Sequence, residues 1–290
     1  EDVERVEKYQ SYQKNLKKRL NNEGWDGSWY RRAFYDDGTP LGSSESDECK
    51  IDAIAQSWSV ISKAAPHGKA MKALESADLH LVSESEGIIR LLNPPFDQTD
   101  HNPGYIKGYI PGVRENGGQY THGALWLVRA FAEAGYHERA VRLIRMLTPI
   151  NHSYPKTGAD RYRVEPYAVA ADIYSEVPLT GMGGWTWYTG SAGWMYRVIL
   201  ESILGLEIKG GNKINVNTRI PADWEGFSIT IKKNNTSHHI SVENNQTVEP
   251  GNIKCIFDGE YLEGRRNASL FTMKEDGKAH HIVLQVSTQQ

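Results

Sequence analysis

The stretch Ala124-Leu-Trp-Leu-Val-Arg-Ala-Phe-Ala-Glu-Ala-Gly-Tyr-His-Glu-Arg-Ala-Val-Arg-Leu-Ile-Arg-Met-Leu147 decides the fold class. Apolar residues recur at helical spacing through Ala124–Ala134 and His137–Leu147, and Gly135 splits the two, so the stretch predicts a helical hairpin. The pattern recurs upstream. Lys50–Ala64 places Ile51, Ile54, Ala55, Trp58 and Ile61 at helical spacing; Pro66 follows, and Gly68–Leu79 predicts a helix turning back. Tyr167–Tyr174 and Ser191–Leu204 predict a third pair. Helices this short cannot cover their apolar faces alone, so they must pack as an array of hairpins. The loops between them are long and aromatic, as loops that carry function often are.

After Gly205 the period changes to two. Lys213-Ile-Asn-Val-Asn, Phe227-Ser-Ile-Thr-Ile, His239-Ile-Ser-Val and His281-Ile-Val-Leu-Gln-Val are separated by Asn/Gly turns and predict a small antiparallel β domain. The expected division is therefore a helical-hairpin region, 1–205, and a β domain, 206–290. His238–His239 and His280–His281 do not read as metal sites, because neighbours on a strand point to opposite faces. Surface histidines are expected there, and no metal is called for.

With 290 residues, 39% hydrophobic and 24% charged, the chain can bury a core, and its net charge of −3 lacks the basic footprint of a nucleic-acid binder. No apolar run reaches the roughly 20 residues that a membrane helix needs. Glu1–Lys18 is charged and helix-like rather than a signal peptide. Cys49 and Cys255 lie in segments of different character and are expected to be two unpaired thiols. The Asn-x-Ser/Thr triplets are given no weight for secretion.

Four segments carry chemistry. In Gly24-Trp-Asp-Gly-Ser-Trp-Tyr-Arg-Arg-Ala-Phe, Asp26 lies among Trp25, Trp29 and Tyr30. A carboxyl against aromatic walls has a raised pKa and can protonate a leaving oxygen, while the rings suit the faces of a sugar. An ordinary Asp-Gly turn among core tryptophans is the plain alternative. In Arg114-Glu-Asn-Gly-Gly-Gln-Tyr-Thr-His, glycines allow close backbone approach, and Arg114 and His122 offer donors to an oxyanion. Thr189-Gly190-Ser191 reads as a cap before a helix, again offering amides and hydroxyls to an anion. Neither a Walker lysine motif nor a dinucleotide fingerprint fits. Glu165 stands ahead of the helix expected at Tyr167–Tyr174, with Asp172 about two turns on, placed for sugar hydroxyls or for a structural hydrogen bond.

Together, Trp25-Asp-Gly-Ser-Trp-Tyr-Arg-Arg-Ala-Phe, Glu115-Asn-Gly-Gly-Gln-Tyr-Thr-His and Gly184-Trp-Thr-Trp-Tyr-Thr-Gly-Ser-Ala-Gly-Trp-Met resemble glycoside hydrolase family ninety-four. That family comprises inverting phosphorylases of cellobiose, chitobiose and β-1,2-oligoglucans and the C-terminal region of cyclic β-1,2-glucan synthases, the branch this chain resembles most. The resemblance implies a mainly α fold, part of an (α/α)6 toroid of helical hairpins, followed by a small antiparallel β-sandwich. It implies Asp26 as general acid, His122, Thr189 and Gly190 as phosphate holders, and Trp25, Arg31, Arg114 and Glu165 as substrate contacts. Inorganic phosphate would be the nucleophile, a β-glucan oligosaccharide the other substrate, and α-glucose-1-phosphate the product, with no cofactor.

About three hairpins are legible, half of a six-hairpin toroid, so the chain reads as a C-terminal piece. A homodimer or an association with a missing N-terminal half would complete the ring. The need for phosphate implies a cytoplasmic site, with a parent protein embedded in a membrane if it is a synthase. Two other readings stay open. One is a non-catalytic carbohydrate-binding piece; the other is an inverting hydrolase in which Glu165 or Glu115 activates water.

Overall fold

The computed structural model describes residues 2–218, 220–249, 252–261 and 270–287. The chain divides into two compact units, Glu1–Val198 and Ile199–Gln290.

Among the described residues, the first unit holds eight α-helices: α1 (Val3–Asn22), α2 (Ala53–Ile61), α3 (His67–Leu81), α4 (Thr121–Glu133), α5 (His137–Leu147), α6 (Pro149–His152), α7 (Lys156–Tyr162) and α8 (Thr189–Arg197). The hairpin of α4 and α5 forms as its spacing predicts. Apolar nearly all round, α4 is the central helix and packs against α2, α5 and α8. Its partner α5 buries Ala140, Val141, Leu143, Ile144 and Leu147 and turns Arg142 and Arg145 outward. The helix α1 starts at Asp2, whose carboxylate accepts the N–H of Arg5, and none of its residues is buried.

Two expectations are corrected here. First, α2 buries Ala53, Gln56, Ser57 and Ser59 rather than its apolar stripe, and Trp58 is exposed. Gln56 makes this possible by pairing with the backbone of Tyr30 on both sides, its oxygen accepting the Tyr30 N–H and its amide donating to the Tyr30 carbonyl, both at 2.8 Å. Polar groups so satisfied are cheap to bury. Second, Tyr167–Tyr174 is not helical. It is a turn followed by the two-residue strand Asp172–Ile173, paired antiparallel with Gln119–Tyr120. Similar short ladders join Ile51–Asp52 to Leu92–Asn93 and Val82–Ser83 to Ile88–Ile89. They gather the loops at the starts of α2 and α4, where Ala53 N–H donates to Leu91 O and Thr121 N–H to Ala171 O.

Among the described residues, the second unit contains a three-stranded and a five-stranded sheet, whose buried residues share one apolar core that includes Ile214, Val216, Ile240, Val242, Cys255, Ile282 and Leu284. Burial alternates along Thr236–Asn244, as a sheet with one inner face requires. The antiparallel expectation fails at one ladder: Thr236–Asn244 and Ala279–Val286 run parallel, Ser237 opposite Ala279. That register stacks His238 on His280 and His239 on His281, ring centroids 5.3 and 5.1 Å apart. His238 and His280 are buried, not at the surface as expected. Cys49 and Cys255 are buried free thiols, the state the sequence predicts.

His280 places Nδ1 2.7 Å from Asp258 and Nε2 2.9 Å from Asp276. Those two carboxylates raise its pKa, so its stabilisation is complete below the unfolded value of about 6.5 and disappears as pH rises through the folded value. Burial, with His280 alongside, lowers the pKa of His238, whose contribution is present above about 6.5 and is lost as pH falls. Stability of this unit is therefore expected to peak near pH 6.5. Amide exchange in Ala279–Val286, corrected for intrinsic rates, should show the alkaline decline, and His280→Gln should abolish it. A decline that persists in the variant would exclude His280 as its source.

Candidate active site

Asp26 sits in a loop closed by its own N–H to Trp29 O (2.8 Å). Its carboxylate accepts from Arg31 Nε (2.7 Å), Ser43 Oγ (2.8 Å), Ser44 N–H (2.7 Å) and Ser44 Oγ (2.8 Å), with Arg31 Nη2 also at 2.7 Å. Its side chain is 3% exposed. Burial pushes its pKa up, but the Ser44 N–H, the two serine hydroxyls and Arg31 outweigh it, and the net shift is downward. This corrects the expected raised pKa. A saturated carboxylate of this kind fastens the Gly42–Ser44 loop to Arg31 and is held ionised in this state. The aromatic neighbours do other work. Trp29 Nε1 donates to the carbonyls of Gly42 and Lys50, and Trp25 lies edge-on to Tyr30 with Lys69 Nζ 5.0 Å above its ring.

The second cluster forms at the start of α4. Asn116, fully buried, accepts the Phe96 N–H and donates to the carbonyls of Phe96 and Tyr109, which folds the segment before the helix. Gly117 and Gly118 allow close packing: a Cβ on the first would lie 2.8 Å from Pro95, and one on the second 2.9 Å from the carbonyls of Arg114 and Gly112. Arg114, at φ +51°, sets its guanidinium over Tyr109 and Tyr188, and its Nε lies 3.6 Å from Glu115.

Asp172 is fully buried beneath this turn and accepts the Trp185 N–H at 3.2 Å. Burial raises its pKa against the opposing pull of the Trp185 N–H and of Arg114. Gly184 is a glycine because a Cβ there would lie 2.5 and 2.6 Å from the two Asp172 oxygens.

His122, in the first turn of α4, packs edge-on to Trp126 (4.8 Å) and against Trp194 (5.8 Å). Burial lowers its pKa, which favours the neutral ring. Gly190 borders it: a Cβ there would stand 3.7 Å from His122 Cε1 and Nδ1. Thr189 and Gly190 open α8 with Tyr188 at the cap position, so they lie one step inside the helix rather than capping it. No side chain caps either α4 or α8, leaving the first N–H groups of both helices without a side-chain acceptor.

Glu165 accepts the Trp187 indole N–H at 3.1 Å. Trp187 takes φ +63°, stands 67% exposed, and lies edge-on to Tyr167. Its own backbone and the Trp187 and Thr186 side chains hold the Glu165 pKa down, so it is ionised.

The Trp185–Gly190 loop thus joins Arg114, His122, Thr189, Gly190 and Glu165. Among the described residues, no hydrogen bond, ion pair or ring contact ties Trp25, Asp26 or Arg31 to that group. Among the buried side-chain polar atoms that lack a hydrogen-bond partner, Arg114 Nε, Glu115 Oε2, Gln119 Nε2, Thr121 Oγ1, Trp126 Nε1 and Asp172 Oδ2 belong to the α4 approach and its partner strand. Such a concentration calls for a partner at this place, a water or a ligand. Asp172, Gln119, Trp126 and Tyr188 were not singled out as site residues from sequence. The signal for Asp172 was available: a carboxylate inside the apolar run Ala168-Val-Ala-Ala-Asp-Ile needs a buried partner.

Uncapped starts of two helices beside exposed tryptophan and tyrosine faces suit an anion and the faces of a sugar ring. The chain belongs to the glycosyl hydrolase 94 superfamily, whose catalytic domain matches residues 1–205. This bears out the resemblance read from the motifs. The chain is 50% identical to the cyclic beta-(1,2)-glucan synthase NdvB of Rhizobium meliloti (strain 1021) over 83% of its own length and 8% of that protein. It is 29% identical to a solabiose phosphorylase of Paenibacillus borealis over 92% of its length and 34% of that protein. With an N,N'-diacetylchitobiose phosphorylase of Vibrio proteolyticus the figures are 27%, 90% and 32%. The chain therefore spans about a third of these phosphorylases and under a tenth of the synthase.

Proposed function

We propose that this chain carries the phosphate-holding and sugar-contacting part of an inverting glycoside phosphorylase site that acts on β-linked glucans. The observation that carries the reading is the group of buried polar atoms without a hydrogen-bond partner on the approach to α4, together with the uncapped first turns of α4 and α8 on either side of His122. Phosphate is held by the neutral imidazole of His122 and the first N–H groups of α8 at Thr189 and Gly190, where the helix dipole favours an anion. Arg114 adds a fixed positive charge. Trp187 and Tyr167 offer faces to glucose rings, with Glu165 as hydroxyl acceptor.

A phosphate oxygen attacks the anomeric carbon from the side opposite the glycosidic oxygen. The bond to the leaving sugar breaks, and a β-glucoside becomes α-glucose-1-phosphate. The leaving oxygen takes up a proton from Asp26, which in this reading exchanges its Arg31, Ser43 and Ser44 contacts for the substrate and is reprotonated from solvent between turnovers.

The helices form part of an (α/α)6 toroid in this reading. The exposure of Tyr9, Tyr12, Leu16 and Leu20 along α1 supports an apolar flank that further hairpins cover. Among the described residues no helix is long and apolar enough to cross a membrane. The use of inorganic phosphate points to the cytoplasm.

Glucose-1-phosphate release from β-1,2-gluco-oligosaccharides, with and without phosphate, tests the reading alongside phosphate titration of tryptophan fluorescence. Phosphate is expected to perturb Trp126 and Trp194, and His122→Ala should weaken it about tenfold or more with little change in oligosaccharide affinity. Release of free glucose independent of phosphate would establish hydrolysis instead. Asp26→Asn is expected to abolish turnover and to lose about 2 kcal/mol of stability while phosphate still binds. Retained phosphorolysis in that variant would exclude Asp26 as the acid.

A further inference from the structure

A cleft of about 330 Å³ opens in the first unit between the turn Glu84–Gly87, α5, α6 and the end of α7. None of its lining residues belongs to the site described above. Its volume is that of a small-molecule pocket. Its charges do not cancel. Glu84 is engaged by Arg139 and by Arg142 (2.7 Å), and Glu86 by Arg90 (2.8 Å). Arg145 and Arg161 also line the cleft, and among the described residues neither has a carboxylate partner. Two unmatched guanidiniums suit a dianion, and a phosphate monoester carries about −1.5 to −2 at neutral pH.

The wall between them is shaped. The Arg161 stem lies over Gly181, where a Cβ would come within 2.8 Å of its Cδ and Nε, so the glycine leaves that side chain room. His152, 7% exposed, stacks on Tyr162 with centroids 5.0 Å apart, and its Nε2 finds no hydrogen-bond partner. Burial, with Arg161 beside it, pushes this imidazole down to about 4, against a backbone hydrogen bond to Met146. The ring is therefore neutral at pH 7. With Nδ1 committed to that carbonyl, Nε2 is an acceptor awaiting a donor such as a hydroxyl.

We propose that this cleft binds a small hydroxyl-bearing phosphate monoester, a sugar phosphate in chemical class, with Arg145 and Arg161 on the phosphate and His152 and Glu86 on the hydroxyls. It is a second anion site, independent of His122 and the α8 turn.

Calorimetric titration of the whole chain with glucose 6-phosphate tests this, with inorganic phosphate and glucose as comparison ligands. The wild type and His122→Ala are expected to bind glucose 6-phosphate alike. In the His122→Ala background, Arg145→Gln with Arg161→Gln should weaken binding about tenfold or more, and Arg161→Lys alone should weaken it less. Both arginines are exposed, so the melting temperature should not move. Absence of glucose 6-phosphate binding overturns the proposal, and so does binding that His122→Ala abolishes and the arginine variants leave intact. Equal affinity for inorganic phosphate in the His122→Ala background would overturn the hydroxyl contacts. None of these results bears on phosphate capture at α8, so failure here leaves that reading standing.

Discussion

Asp172→Ala is expected to cost about 1–3 kcal/mol, the range for leaving a buried hydrogen-bond donor without its acceptor. Asp172 is fully buried, holds the Trp185 N–H, opposes the Arg114 charge, and sits on the strand paired with Gln119–Tyr120. Its loss releases the Trp185–Gly190 loop, so phosphate binding should fall with stability. Gly184→Ala supplies a second arm. Its Cβ would meet the Asp172 oxygens at 2.5 and 2.6 Å, an overpacking that typically costs about 1–3 kcal/mol. With Asp172→Ala already present that clash disappears, so the two losses should be strongly non-additive. Urea unfolding of the four chains measures this. A single-variant loss within about 0.5 kcal/mol of wild type would show that Asp172 does not hold the loop.

Gly205→Ala should be comparably severe in the second unit. Gly205 has φ +74°, and a Cβ there would stand 1.9 Å from the Asn217 carbonyl oxygen and 2.2 Å from its carbon. The Gly205 carbonyl also accepts the Asn217 N–H at 2.8 Å, so the two strands cannot separate locally without losing that bond. Left-handed backbone costs a side-chain-bearing residue about 1–2 kcal/mol, and the overlap adds about 1–3 more. Amide exchange in Lys213–Val216 should rise by orders of magnitude, while amides of α4 and α5 stay protected. Unchanged exchange in that strand would mean that the turn relaxes around the methyl group.

Legibility followed the physics of each segment. The hairpin of α4 and α5 was readable because burial there is settled by apolar periodicity alone. The buried face of α2 was not, because Gln56 imitates a strand partner for Tyr30, a long-range pairing that local spacing does not encode. Tyr167–Tyr174 misled because alanine favours helices, whereas the pairing of Asp172–Ile173 with Gln119–Tyr120 is set by residues some fifty positions away. In the site, the glycines and His122 were visible as types. The orphaned atoms around Asp172 emerge only when three loops meet. Asp26 was found as a residue but misread in its electrostatics, because Ser43 and Ser44, distant in sequence, outweigh the aromatic neighbours next to it. The parallel ladder was missed because period two does not report strand direction.

That ladder dictates an order of assembly. In the five-stranded sheet the last of its strands in sequence order, Ala279–Val286, lies in the middle, between Thr236–Asn244 and Ile253–Phe257. The hairpin Gly226–Asn244 can close from local contacts alone. The centre must wait until a segment about forty residues further on has been synthesised and inserted, and closing so long a loop is slow. During that interval two strand edges lie open, and on the ribosome the second unit can complete itself only once Ala279–Val286 has emerged.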